Sequence, residues 1–341
     1  MATKKVLVTG GAGFIGSHLV ERLLKEGREV VVIDNFNTFY DPQIKRSNVE
    51  SYSASSKCQV VEGDIRNIDD LEKTFEKGPF DAIVHLAAMA GVRPSLEDPS
   101  LYVDVNVKGT QNLLDFAVRQ KEYPLFAFAS SSSVYGARQS ESFKETDRCD
   151  RPISPYAATK MAGEMICHAQ HAATKMDIVC LRFFTVFGPR QRPDLAIHKF
   201  CRLIDNDLPI DVYGDGSTQR DYTYYGDIVD GIMGVLKLKN PGFEIINLGR
   251  SEPVVLSDMI KSIEDALGKK AKINRLPMQK GDVPNTFASI ERARTLLGYQ
   301  PKTGLDKGVS EFVEWYRQNA SSSKTDANSQ KAKDCALSRS E

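Results

Sequence analysis

Tyr156 and Lys160 stand in the run YAATK, and a spacing of four puts both side chains on one face of a helix, one turn apart. An ammonium beside a phenol stabilises the phenolate and lowers its pKa from about 10 toward neutrality, which makes a usable general base. A YxxxK spacing arises often by chance. It gains weight here from two companions, the run SSSSVYG from Ser130 to Gly136 and the stretch VLVTGGAGFIGSHL from Val6 to Leu19.

In the second of these, an apolar run stops at Thr9, four glycines follow (Gly10, Gly11, Gly13, Gly16), and apolar spacing of helical period resumes. That order reads as strand, tight turn, helix, with the helix N-terminus offering free N–H groups to a pyrophosphate. Gly13 lets phosphate approach the backbone, and Gly16 lets the helix lie close on the sheet. A second buried-type strand, VVVID, ends in Asp34, at the distance expected for an acid that accepts from a ribose 2′-hydroxyl. Asp34 would repel a 2′-phosphate and no Arg follows directly, so NAD is expected rather than NADP.

These groups must be held by a regular scaffold. From Lys5 to Arg182 apolar strands (5–9, 29–33, 58–61, 81–86, 125–129, 177–182) alternate with amphipathic helices (14–26, 67–77, 99–121, 156–174), the pattern of a parallel sheet covered on both faces. The expected fold is α/β: a Rossmann-type doubly wound sheet over residues 1–182, ligand outside the carboxyl ends of its strands. Beyond Arg182, prolines and glycines interrupt shorter helices near 195–206, 227–238, 256–267, 289–297 and 305–318. Residues 183–319 are therefore expected to form a smaller mixed α/β lobe over the ligand, interleaved with the first unit. The composition of 320–341 predicts disorder.

Whole-chain composition narrows the setting. The 341 residues carry 45 Lys plus Arg against 45 Asp plus Glu, which points to neither nucleic acid nor a membrane surface. Six scattered cysteines without CxxC spacing read as reduced thiols. The first strand follows the N-terminus at once and no apolar run has membrane-span length, so a cytoplasmic location is expected. No ligand set for a metal is evident; His168 and His171 share a helix face without a third partner. His18 and His85 read as structural.

Together, GGAGFIG, SSSSVYG and YAATK resemble the extended short-chain dehydrogenase/reductase superfamily, in its nucleotide-sugar epimerase and dehydratase branch, from about Lys4 to Tyr316. The resemblance implies Ser131 as the catalytic Ser/Thr, Tyr156 as the base and Lys160 as the holder of the nicotinamide ribose. It implies NAD contacts from Gly10, Gly13, Phe14, Ile15, Gly16, Asp34 and Asn35, from Asp64 and Ile65 beside adenine, and from Leu86, Ala87 and Ala88 on the nicotinamide side. Ser130, Ser132 and Ser133 read as ordinary turn residues rather than direct catalytic groups.

Within that branch, IDNFNTFYDPQIK (33–45), HLAAMAGVRPSLEDP (85–99), FFTVFGPRQRPDLAIHKF (183–200) and GDVPNTFASI (281–290) are similar to UDP-glucuronate 4-epimerases. The resemblance implies that Tyr156 takes the proton of the sugar's 4-hydroxyl while a hydride leaves carbon 4 for NAD; the 4-keto sugar then turns over and is reduced on its other face. A ketone at carbon 4 makes the carboxylate on carbon 5 prone to leave as carbon dioxide, so several fixed donors must orient it. Ser132, Thr185 and Arg192 are the candidates; Arg220 is expected on the diphosphate and Asp282 on the uridine ribose. Gln279 stands where glucose-type epimerases carry Arg. A UDP-glucuronate decarboxylase is the nearest rival, but Ser131, Ser132 and Ser133 replace that group's Thr-Ser-Glu. A UDP-glucose or UDP-N-acetylglucosamine 4-epimerase and a non-catalytic dinucleotide sensor are the others. A homodimer is the expected assembly.

Overall fold

The computed structural model describes residues 4–138, 142–277 and 285–319. Its centre is a seven-stranded parallel sheet built from β1 (Lys5–Thr9), β2 (Glu29–Asp34), β3 (Cys58–Glu62), β4 (Ala82–His85), β5 (Leu125–Ser131), β6 (Ile178–Phe183) and β10 (Phe243–Leu248). The spatial order is β3-β2-β1-β4-β5-β6-β10. Each central strand is a run of Val, Ile, Leu, Ala and Phe because both sheet faces are covered. Val6, Val8, Val30 and Val32 point into one apolar cluster, Leu7, Val31 and Ile33 into the other.

On the first face lie α1 (Phe14–Lys25) and α9 (Tyr225–Val235), contributing Leu19, Val20, Leu23, Ile228 and Ile232. The second carries α3 (Ile68–Phe75), α6 (Gly109–Ala117) and α7 (Pro155–Thr174), through Leu71, Leu113, Leu114 and Cys167. The single helix expected over 99–121 is instead α5 (Pro99–Val103), a π-type turn (Asp104–Lys108) and α6. That wider turn sets Asn106 to clamp the Met89 backbone, accepting from its N–H at 2.8 Å and donating to its carbonyl at 2.9 Å.

The seventh strand was not anticipated. FEIINL sits between Pro241-Gly242 and Gly249, and its first three residues are only half-buried, as suits an edge strand that lacks the continuous apolar run of its neighbours. It pairs with β6 in parallel, Phe243 opposite Ile178 through Leu248 opposite Phe183, and Asp177 accepts the Gly242 N–H at 2.9 Å. Two further elements come from the segment after β2 and from the second half. The 33–45 stretch leads into α2 (Pro42–Ser53), started by Asp41, whose carboxylate accepts the Gln43 N–H. A third apolar cluster joins α8 (Ala196–Asp205), α10 (Leu256–Leu267) and the helix over 305–319 to β8 (Pro209–Tyr213) and β9 (Gln219–Tyr224). Here β9 pairs with β7 (Thr185–Phe187) and β11 (Pro253–Val255), and β8 with β12 (Lys272–Leu276).

Candidate active site

Strand order reverses between β1 and β4, with β1 to β3 running to one edge of the parallel sheet and β4 onward to the other, so a crevice opens beyond their carboxyl ends. A cavity of about 550 Å³ occupies it. Gly10 has φ +70°, and a Cβ there would meet Ala87 N at 2.8 Å; at Gly16 it would lie 2.1 Å from the Gly10 carbonyl. Both glycines are demanded by the protein itself. At Gly13 a Cβ would meet only the Gly10 carbonyl, at 3.3 Å, so its missing side chain serves the cavity it lines. Gly13 is also the N-cap of α1, with no side-chain acceptor and no acid in the first turn. An uncapped helix N-terminus with a bare backbone before it fits the pyrophosphate of a dinucleotide.

Asp34, buried at the end of β2, accepts from Ala12 N at 3.1 Å and Phe36 N at 2.9 Å. Burial pushes its carboxyl above the usual range, against the pull of the Lys45 charge and those two N–H groups. Each carboxylate oxygen keeps a second lone pair for a ribose hydroxyl. Asp64 accepts from Asn35 Nδ2 at 2.8 Å and from Arg66; burial raises its carboxyl, but these bonds win and hold it down at about 2. Asn37, Phe39, Tyr40 and Lys45 also line the cavity, and sequence reasoning gave them no role. Lys45 Nζ donates to Asn37 Oδ1 at 2.9 Å, bending the insertion inward. The available signal was the Asp41-Pro42 start of α2, which sets the helical phase of Lys45.

Ser131 ends β5, and its Oγ accepts the Ser133 N–H at 3.2 Å at the start of a 3₁₀ turn over Ser132–Tyr135. Ser131 also bears on the Tyr156 phenol, whose pKa it pulls down. Ser154 caps α7 through the Ala157 N–H at 3.1 Å and Pro155 occupies the first helical position, so Tyr156 stands in the first turn, at the sheet's carboxyl edge. Lys160 Nζ donates to the Ala129 carbonyl at 2.8 Å, 5.1 Å from the Phe128 ring centre, and burial lowers its pKa to about 8. One expectation is reversed: the Tyr156 phenol lies above its ordinary value, because burial outweighs the Ser131 hydrogen bond and the Arg192 charge that pull it down. The Lys160 ammonium commits one of its three N–H groups to the Ala129 carbonyl and is not among the charges that lower the phenol.

The same cavity is lined by Ser132, by Thr185 at the start of β7, by Arg192 and by Arg220 on β9. Arg192 pairs with Asp194 at 2.7 Å, reaches the Ala90 carbonyl at 3.4 Å and lies 5.1 Å from the Phe39 ring centre. Arg220 donates to the Gln219 carbonyl at 2.8 Å. Arg93, also unforeseen, lines the same space over the Tyr213 ring. Gly10, Gly13, Phe14, Ile15, Gly16, Asp34, Asn35, Asp64, Ile65, Leu86, Ala87, Ala88, Ser131, Ser132, Tyr156, Lys160, Thr185, Arg192 and Arg220 thus face one continuous cavity. Asp282 and Gln279 lie outside the described residues. His85 sits beneath it in a buried chain, Thr9 Oγ1 at 2.7 Å and Thr110 Oγ1 at 2.9 Å, its pKa pushed down to about 3 by burial.

Known proteins share both the pattern and the fold. The family model described as GDP-mannose 4,6 dehydratase matches residues 7–312. A UDP-glucuronate 4-epimerase of Thermodesulfobacterium geofontis is 42% identical over 318 residues, 92% of this chain and 96% of its own. UDP-glucuronate 4-epimerase 1 of Arabidopsis thaliana is 43% identical over 327 residues, 91% of this chain and 76% of the plant protein. The crystal structure of a UDP-glucuronic acid 4-epimerase from Bacillus cereus, in complex with UDP-glucuronic acid and NAD, matches with a TM-score of 0.87 at 39% identity, over 92% of this chain and 99% of that one. With its sheet order, its glycine cradle and its Ser-Tyr-Lys cluster, the chain belongs to the GDP-mannose 4,6-dehydratase family of extended short-chain dehydrogenases/reductases.

Proposed function

We propose that the protein is an NAD-dependent 4-epimerase that interconverts UDP-glucuronate and UDP-galacturonate. The observation that carries this is the one cavity lined by the dinucleotide cradle, by Ser131, Tyr156 and Lys160, and by Thr185, Arg192 and Arg220. Gly10, Gly13, Phe14, Ile15 and Gly16 would hold the pyrophosphate of NAD, Asp34 its adenosine ribose, Asn35, Asp64 and Ile65 its adenine side, and Leu86, Ala87, Ala88 and Lys160 its nicotinamide end. When bound, NAD supplies reversible hydride acceptance, which takes carbon 4 of the sugar to the ketone level and back. Tyr156 exchanges the proton of the 4-hydroxyl, and Ser131, which pulls the phenol's pKa down, stabilises the phenolate that does so. Arg220 neutralises the diphosphate. Ser132, Thr185 and Arg192 orient the carboxylate so that the bond to it overlaps the ketone poorly and carbon dioxide is retained.

On this reading residues 1–182 with the seventh strand serve the dinucleotide and 183–319 the sugar nucleotide. The enzyme works as a cytoplasmic homodimer; among the described residues no helix is long and apolar enough to cross a membrane. Incubation with UDP-glucuronate, products separated by sugar and by loss of carbon dioxide, tests the activity. UDP-galacturonate is the expected product. A pentose product, or turnover of UDP-glucose alone, overturns the reading.

A further inference from the structure

Behind the reacting cluster lies a charge pair that the chemistry above does not use. Glu164 is four residues beyond Lys160 on α7, so the face that carries Tyr156 and Lys160 into the cavity continues one turn deeper with a carboxylate. Arg182 lies on β6 directly opposite Ser130 of β5. Glu164 accepts from Arg182 Nε at 2.9 Å and from its second nitrogen at 2.8 Å, and the same carboxylate accepts the Ser130 hydroxyl. All three are buried, at 7%, 3% and 3% exposure. The guanidinium lies 4.7 Å from the Tyr135 ring centre, and Tyr135 donates to Asn247 on the seventh strand at 2.7 Å. The neighbouring Gly163 is pressed on Phe128, where a Cβ would approach the ring to 2.3 Å, so α7 has no slack against β5.

As a stability device this arrangement is poor. A buried ion pair is often matched or exceeded by apolar side chains of equal volume, because two charges must be desolvated. This pair also leaves one Arg182 nitrogen, Nη1, buried with no hydrogen-bond acceptor among the described residues. Its distinctive effect is geometric: one bidentate carboxylate ties α7, β5 and β6 together one residue before Ser131. We propose that Glu164 and Arg182 are positioning residues, acting through Ser130 to hold the end of β5 so that Ser131 meets the Tyr156 phenol. The proposal rests on the epimerase reading for its kinetic consequence and on the fold alone for its structural one.

Displacing a reacting group by about 1 Å costs on the order of a hundredfold in rate. In the double variant Glu164→Met with Arg182→Leu, the protein is expected to fold with an unchanged or higher Tm and to retain NAD. Its kcat on UDP-glucuronate should fall about tenfold to a hundredfold while KM stays within about threefold. Ser130→Ala, which cuts only the link to the strand, should lose kcat in the same sense with a smaller effect, and Ser130→Thr should restore part of it. Amide exchange over residues 129–133 should accelerate in the double variant and in Ser130→Ala, while β1 and α1 stay unchanged. Wild-type kcat in a folded double variant, or in Ser130→Ala, overturns the positioning role. Unchanged exchange over 129–133 does so even if the wild-type protein shows no epimerase activity, an outcome that would overturn the epimerase reading separately.

Discussion

Tyr156 meets two opposed influences. Its surroundings raise the phenol, while Ser131 and Arg192 lower it. A base whose pKa is raised is less ionised at neutral pH, so kcat/KM should climb with pH along an acid limb. Ser131→Ala removes a stabilising bond to the phenolate, and a pH-rate profile should show that limb displaced to higher pH; an unmoved limb would separate Ser131 from the phenol. Tyr156→Phe should lower turnover by about a hundredfold or more with NAD still bound. Arg192, though engaged with Asp194, faces the cavity, and its loss should raise KM for UDP-glucuronate about tenfold and for UDP-glucose much less. Equal losses on both sugars would exclude a carboxylate contact. At this scale the sequence was most legible for residues on motif spacing: Gly10, Gly13, Gly16, Asp34, Ser131, Tyr156 and Lys160 all face one cavity. Glu164 and Arg182 escaped notice because they meet only across three elements, although a charge near the end of the apolar strand IVCLRF was a usable signal.

Among elements, α1 and α7 hold the two halves of the chemistry, and each does so through its first turn. Gly13 offers a direct check on α1. Its φ of −75° admits any side chain and a Cβ there meets the protein at one atom, so Gly13→Ala should keep a Tm close to wild type. NAD should nevertheless be lost from the purified protein, measured by release on denaturation; full retention would remove Gly13 from the pyrophosphate site. Strong alternation made β1 through β6 and their helices readable. The seventh strand and α2 were not, since a half-exposed edge strand and a helix of low apolar content carry weak periodicity, and tertiary pairing decides them. The π-type turn at Asp104–Lys108 was invisible for a related reason: one extra residue per turn leaves hydrophobic spacing almost intact while rotating Asn106 onto Met89.

At the scale of the whole molecule, a buried histidine bridges segments far apart in the sequence. His18 of α1 bonds the Pro189 carbonyl at 2.9 Å and stacks on Tyr225 of α9 at 3.6 Å between ring centres. Burial lowers its pKa from the ordinary 6.5 to about 4, with Arg190 adding to the depression. The folded state therefore binds fewer protons than the unfolded chain below pH 6.5, and stability falls as pH drops from 6.5 toward 4. His85, held near 3, extends the loss to lower pH. Thermal unfolding at a series of pH values should show Tm declining over this window, and His18→Gln should flatten the decline; a slope identical to wild type would assign it to other groups. The edge strand β10 carries a different consequence, one of timing. A ribosome has made β6 long before it reaches Phe243, so the nascent chain holds the open side of β6 unpaired while the intervening helices emerge. The sheet can close only once Leu248 has been made, and until then the edge of β6 that β10 covers is open to pairing with any other strand.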